Sequence, residues 1–279
     1  MDNNWLNRTE TLIGKENLEK LQSSKLVVFG LGGVGSYVVE GLVRAGIQSI
    51  CIIDKDIVDI TNINRQLIAD TKTIGKNKVD VQEERILKIN PIVKVIKLKE
   101  FVNKDNIEEI MSKATHIDYV IDAIDTVSSK LEIIKYCYTN NIQIISCMGT
   151  GNKLNASKFE ITDIFKTSVC PLAKVIRKEL KKLNIPKLTV LYSKEEPIKT
   201  SISTPASISF VPSVAGLLIA GKVVQDLITN EAKWYFRIVL NFVFICESYP
   251  QSHINVDNFH VNIILCLPLI FVLESVCSP

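Results

Sequence analysis

From Ser24 to Ile145, short apolar runs take turns with helix-like stretches, and no other feature limits the possible folds as tightly. Lys25–Phe29 reads as a buried strand and Gly35–Ala45 as a helix with Val38, Val39, Leu42 and Val43 on one face. Ser49–Ile53, Val93–Leu98, Tyr119–Ile121 and Ile142–Ser146 read as further strands. Helical stretches at Lys78–Ile89, Ile107–Ala114 and Val127–Tyr138 separate them. This spacing predicts βαβ units and a largely parallel, doubly wound sheet. The strands read as continuous apolar runs, as strands buried on both faces do. After Gly149 the pattern is mixed. Phe159–Ile161 and Leu188–Tyr192 can be strands, and Pro171–Leu183 a helix with proline in its first turn. Ser193–Ser209 reads as a loop, and Pro212–Ile228 as an apolar packing helix rather than a membrane span. The expectation is a Rossmann-like α/β fold with mixed C-terminal strands over residues 1–229. An apolar tail of unassigned role follows over 230–279. Within that tail, Ile263–Leu273 is broken by Pro268 and falls short of the roughly 20 residues a spanning helix needs.

Gly30-Leu31-Gly32-Gly33-Val34-Gly35 lies between the first strand and the first helix, the context in which a glycine-rich turn binds phosphate. Glycine lets the backbone turn tightly, and the helix N-terminus offers free N–H groups. Asp54 ends the second strand about 20 residues on, where a carboxylate accepts from ribose hydroxyls. The pair indicates an adenine nucleotide but leaves NAD, FAD, S-adenosylmethionine and ATP open. Asn62, Arg65, Lys78 and Asp125 favour ATP. A dehydrogenase needs an apolar nicotinamide pocket. An adenylating site needs cations for a triphosphate and an oxygen ligand for Mg²⁺. Each residue also has an ordinary reading. Asn62 can cap a turn, Arg65 can pair on the surface, and Lys78 can be a solvated first-turn residue.

Composition excludes some chemistry. Seven cysteines include no CxxC pair, so a zinc ribbon of usual spacing is not expected. The odd count and the absence of an apolar signal core in Met1–Lys20 suit reduced thiols and a cytoplasmic setting. With three histidines in the chain, histidine acid–base chemistry has few candidates. The net charge of +3 does not announce a nucleic-acid binder. Lys174, Arg177, Lys178, Lys181 and Lys182 nevertheless form a local basic run, readable as a solvated helix face or as a phosphate-contacting patch.

The ordered words GLGGVGS, IDKDIVDITNINRQ, TIGKNKV and VIDAIDT resemble the ubiquitin-activating-like adenylyltransferases of the ThiF, MoeB and HesA superfamily. RTETLIGKENLEKL, ITDIFKTSVCPLAKVIRKEL, YSKEEP and SFVPSVAGL are similar to its tRNA threonylcarbamoyladenosine dehydratase group. The resemblance covers about Asn7 to Ile228; the tail beyond does not resemble the family. It implies that Gly30, Gly32, Gly33 and Gly35 cradle phosphates and Asp54 holds ribose. It gives the triphosphate to Asn62 and Arg65 and the leaving pyrophosphate to Lys78. Asp125 would hold Mg²⁺ with Thr126 beside it, and Arg8 would reach the nucleotide of a partner subunit in a homodimer. It also implies ATP and Mg²⁺ as cofactors, a monovalent cation by family analogy alone, a tRNA substrate bound in part by the basic run, and a sulfur-relay partner. The implied reaction is ATP-dependent cyclisation of threonylcarbamoyladenosine through an acyl adenylate. The alternatives are adenylation of a ubiquitin-like sulfur carrier, an NAD-dependent oxidoreductase, and an adaptor without turnover. Cys170 stands where the resemblance leads one to expect an aspartate before Pro171-Leu172-Ala173. It reads as a nucleophile or an ordinary thiol, and Cys147 has no assigned role.

Overall fold

The computed structural model describes residues 3–201 and 205–229; the tail over 230–279 lies outside the described residues. Seven strands form one sheet: β1 Lys25–Phe29, β2 Ser49–Ile53, β3 Lys94–Leu98, β4 Tyr119–Asp122, β5 Gln143–Cys147, β6 Phe159–Asp163 and β7 Thr189–Ser193. Their order is β3-β2-β1-β4-β5-β7-β6. All neighbours run parallel except β6 with β7. The strand order reverses between β1 and β4. In an open sheet of this kind a ligand crevice opens there, at the carboxyl ends of the strands.

The β1 sequence shows why the sheet is covered on both faces. Leu26 and Val28 join one apolar cluster, while Val27 and Phe29 join another. The first cluster is completed by α3 (Gly35–Ala45) and α8 (Phe210–Thr229), the second by α5 (Ile107–Ser112) and α6 (Val127–Thr139). A third cluster, with Ile176, Leu180, Val190 and Tyr192, seats α7 (Pro171–Lys182) beside β7. By length and composition α8 could cross a membrane, yet Val211, Ala215, Ile219 and Val223 are buried in the protein. A Cβ at Gly216 would lie 2.4 Å from the Val34 carbonyl oxygen, so α8 sits on α3 at a distance that only glycine permits.

Two features depart from the sequence expectation. The N-terminal segment, polar to the eye, forms α1 (Asn7–Ile13) and α2 (Lys15–Ser23), separated by Gly14 at φ 84°. It docks through few residues, among them Leu6, Leu18 and Leu21, which is too sparse a stripe to announce a helix. The strand over Lys94–Leu98 is not buried on both faces. It is the sheet edge, with Lys94, Ile96 and Lys97 exposed. Lys97 pairs with Asp80 at 2.9 Å and Glu83 at 2.6 Å, and a charged edge resists pairing with another chain. The helix between β2 and β3 is α4 (Lys78–Ile89).

Candidate active site

A cleft of about 620 Å³ opens at the strand-order reversal. Gly30, Gly32, Gly33, Asp54, Asn62, Arg65, Lys78, Asp125 and Thr126 line it together, although they come from five separate stretches of chain. Gly35 lies just behind, where it makes the turn possible: a Cβ there would fall 1.8 Å from the Gly30 carbonyl oxygen. Gly32 differs. A Cβ on it would meet only Gln66 Nε2, at 3.9 Å. The protein itself has room for a side chain at Gly32, so bareness at that position serves whatever enters the cleft.

Asp54 is held by the loop it faces. Its two oxygens accept from the Leu31 amide at 2.6 Å and the Asp56 amide at 2.8 Å, which ties the glycine turn to the end of β2. Burial pushes its carboxyl above the usual range; Lys78 and those amides oppose the shift. Each oxygen keeps lone-pair capacity for a further donor such as a ribose hydroxyl.

Lys78 is not a solvated first-turn residue. It is 5% exposed, and its Nζ stands 3.0 Å from Asp56 Oδ2. A lysine in a helix's first turn opposes the macrodipole, so Asp56 compensates a charge that the helix itself does not favour. Asn62 does cap a turn. Its Oδ1 accepts from the Asp59 amide at 3.2 Å, closing a capping box around Ile60–Asn62. Its Nδ2 has only a long contact to Thr61 Oγ1 at 3.5 Å and so remains available to the cleft. Arg65 uses Nη1 on the Thr61 carbonyl and Asn64 Oδ1, both at 2.9 Å. Asp125 is exposed at the mouth and accepts from Thr126 at 3.4 Å.

The sequence reading missed Gln66 and Ser36. Gln66 is buried on the cleft wall, and its Oε1 has no hydrogen-bond partner among the described residues. Turning the amide over would present its NH₂ donors to the cleft instead. Ser36 donates to the Gly32 carbonyl at 2.7 Å and accepts from the Leu67 amide at 3.3 Å, fastening the glycine turn to the segment that carries Arg65. The motif strings contain both residues, but neither contact follows from spacing.

The far wall comes from Cys147, Met148, Gly149, Thr150 and Gly151, with Leu172, Pro205 and Pro212. Burial pushes the Cys147 thiol up to about 12, so it is protonated at neutral pH and a poor nucleophile. Cys170 is buried as well and starts α7 without a side-chain cap. Arg8 is exposed on α1 and absent from the lining of its own chain's cleft. Of the basic run, Lys174, Lys178 and Lys181 are exposed. Lys182 pairs with Glu179 at 2.8 Å. Arg177 departs from the expected open patch: it is half-buried, its Nη1 donating to the Thr167 carbonyl at 3.0 Å and to the Thr167 hydroxyl.

A tight glycine turn, a glycine kept bare toward the cleft, a buried lysine and a second cation fit a triphosphate. No group of three or more His, Cys, Asp or Glu among the described residues can hold a metal alone. An Mg²⁺ here would share phosphate oxygens with one protein carboxylate, which is how this ion is usually held; Asp125 is an exposed carboxylate on the cleft lining.

Known proteins share this fold and much of this sequence. The ThiF family profile matches residues 6–249. The tRNA threonylcarbamoyladenosine dehydratase of Bacillus subtilis is 43% identical over 241 residues, 80% of this chain and 94% of the relative. The Escherichia coli tRNA N6-threonylcarbamoyladenosine dehydratase solved with ATP superposes at TM-score 0.77 with 32% identity, covering 83% of this chain and 98% of that one. The same enzyme solved with AMP gives a TM-score of 0.78 with 32% identity and the same coverage of both chains.

Proposed function

The chain belongs to the ThiF family, and from that premise we propose that it uses ATP to cyclise N6-threonylcarbamoyladenosine in tRNA. The observation that carries the reading is the likeness to the B. subtilis dehydratase along nearly the whole of that relative. The cleft supplies the chemistry. The side-chain carboxylate of the modified nucleoside attacks the α-phosphorus of ATP, pyrophosphate leaves, and an acyl adenylate forms. The ureido group of the same side chain attacks the activated carbonyl and loses a proton as the ring closes. AMP leaves with the oxygen taken from the carboxylate, so the nucleoside loses the elements of water.

No protein nucleophile is required, because the attacking group is already tethered at high effective concentration. That agrees with the protonated, buried Cys147. In this reading Arg65 and Lys78 stabilise charge growing on the phosphates, while Asp54 and the glycine turn orient the nucleotide. Mg²⁺ bound through Asp125 would neutralise phosphate charge. Nothing in the described residues argues for the monovalent cation.

Lys174, Lys178 and Lys181 offer tRNA a cationic face on the helix whose Leu172 reaches the cleft. Arg8 suits a role toward a partner's nucleotide, since it stands away from its own. Ile60, Ile63, Phe210 and Leu217 are exposed and offer a homodimer apolar side chains. In this reading residues 1–229 carry the adenylation machinery; the family match runs on to residue 249, into the 230–279 segment that the sequence alone set apart.

The test is to incubate the protein with ATP, Mg²⁺ and threonylcarbamoyl-modified tRNA and to weigh the digested nucleosides. A product lighter by one water is expected; unchanged nucleoside with a competent enzyme would refute the assignment. Adenylation of a ubiquitin-like sulfur carrier would instead produce a carrier–AMP adduct.

A further inference from the structure

Beneath the cleft lies a buried ion pair that the reaction as described does not use. Lys130 and Asp122 both have fully buried side chains, with Nζ 2.9 Å from Oδ2. Ser146 completes the cluster: its hydroxyl donates to the same Asp122 oxygen at 2.6 Å and lies 3.1 Å from Lys130 Nζ. Asp122 and Ser146 are register partners across β4 and β5. Lys130 stands in the first turn of α6, its amide bonded to the Thr126 carbonyl at 3.0 Å.

Burying a charge pair rarely adds net stability, because desolvation takes back what Coulomb attraction gives. A fixed geometry is a better explanation, and the remaining contacts indicate which geometry. Asp122 Oδ1 accepts from the Ile124 amide at 3.2 Å, one residue before Asp125. The same turn touches the glycine loop: a Cβ on Gly30 would meet the Ala123 carbonyl oxygen at 2.8 Å. One carboxylate therefore fixes the turn that aims Asp125 and seats it against the phosphate loop. Lys130 Nζ grips the oxygen of that carboxylate that faces away from the turn, and so fixes the direction in which the other oxygen meets the Ile124 amide.

We infer that Lys130, through Asp122 and Ser146, is a positioning residue that aims Asp125 at the metal-bearing phosphates. The inference rests on the reading of Asp125 as the Mg²⁺ ligand.

The test uses the whole protein in three forms: Asp125→Asn, the charge-neutral double variant Asp122→Asn/Lys130→Met, and Ser146→Ala. Metal-free ATP binding is measured by calorimetry in chelator, Mn²⁺ binding to the protein–ATP complex by electron paramagnetic resonance, and the Mg²⁺ concentration for half-maximal turnover by titration. The double variant is expected to weaken Mn²⁺ binding about tenfold and to raise the Mg²⁺ requirement in parallel, with metal-free ATP affinity within about threefold of wild type. Ser146→Ala is expected to shift both metal readouts about threefold. If Asp125→Asn shifts the metal readouts and the double variant does not, the positioning role is wrong while the metal ligand stands. If Asp125→Asn shifts neither, the metal ligand itself is misassigned and the inference falls with it. Should the double variant fail to fold, Ser146→Ala decides: unchanged metal binding overturns the inference.

Discussion

The two walls of the cleft are built differently. The wall from β1, β2 and the start of α4 is polar, and most of its side chains are engaged. Asp54 holds two amides, Lys78 holds Asp56, and Asn62 closes a capping box. The wall from the end of β5 to α8 is mainly backbone, glycine and apolar side chains, and its charge lies outside the cleft on α7. The first wall suits a ligand that never changes and can be met by preorganised groups. The second suits a large substrate that arrives from solvent and is gripped by surface charge.

The largest effect should come from the glycine turn, where two neighbouring positions ought to separate folding from binding. Gly35→Ala places a Cβ on the Gly30 carbonyl, and we expect a loss above about 4 kcal/mol, in the exceptional class for single substitutions. Gly32→Ala meets only a side-chain amide at van der Waals distance, so stability should stay within about 0.5 kcal/mol while ATP binding weakens. Denaturant unfolding and calorimetric titration of both variants make the comparison. If Gly32→Ala binds ATP like wild type, the phosphates do not pass that point.

Next in size are the cations of the polar wall. Arg65→Ala or Lys78→Ala should slow turnover roughly 10²–10³-fold, by analogy with the loss of one donor to a developing charge. Lys78→Ala frees Asp56, which is half exposed and can be hydrated, so melting should move little while activity collapses. Wild-type turnover in both variants would remove the polar wall from the chemistry.

The ease with which each wall could be read in the sequence follows from these differences. The choice of Asn62, Arg65, Lys78 and Asp125 rests on side-chain chemistry and on the order of the family's motifs, whereas the glycine turn and Asp54 are legible because sterics and helix ends act over a few neighbouring residues. The doubly wound sheet is legible for the same reason, as its period is local. The Asp122–Lys130–Ser146 cluster depends on strand register, and the Lys78–Asp56 pair spans 22 residues. Neither follows from local spacing. Arg177 looked like surface charge because its helical spacing matches Lys174 and Lys181. Its inward turn is set by Thr167, in the loop before the helix. The edge position of β3 was hidden because five residues of Lys, Val, Ile and Leu are compatible with either an edge or a central strand.

A smaller effect tests the second wall. Reversing Lys174 and Lys178 to Glu should weaken tRNA binding roughly tenfold or more and flatten its salt dependence by about 0.7–0.9 in log–log slope per lost phosphate contact. ATP affinity should not change, because neither residue lines the cleft. Lys182→Glu should do less, since Lys182 is already committed to Glu179. Filter binding at several salt concentrations distinguishes the two. Equal losses from Lys182→Glu and the double reversal would mean that the whole helix acts as a diffuse field rather than as a contact surface.

The smallest effect lies away from both walls, in the part of the nucleotide half where a polar group has no ligand to serve. Gln82 sits on α4 one turn beyond Lys78, fully buried, and neither amide atom has a partner among the described residues. An unpaired buried amide costs about 1–3 kcal/mol. Methionine has a similar length and no polar demand, and it fills irregular space well. Gln82→Met should therefore stabilise the protein by about 1 kcal/mol, raising Tm by about 2–4 °C at this domain size. Turnover should be unchanged, since Gln82 lines no part of the cleft. If Tm rises while turnover falls, the Lys78 turn needs this amide, and the polar wall extends one helical turn deeper than the cleft. If Tm falls, the amide is satisfied in solution, and unpaired polar groups in this half are then no guide to where its ligands bind.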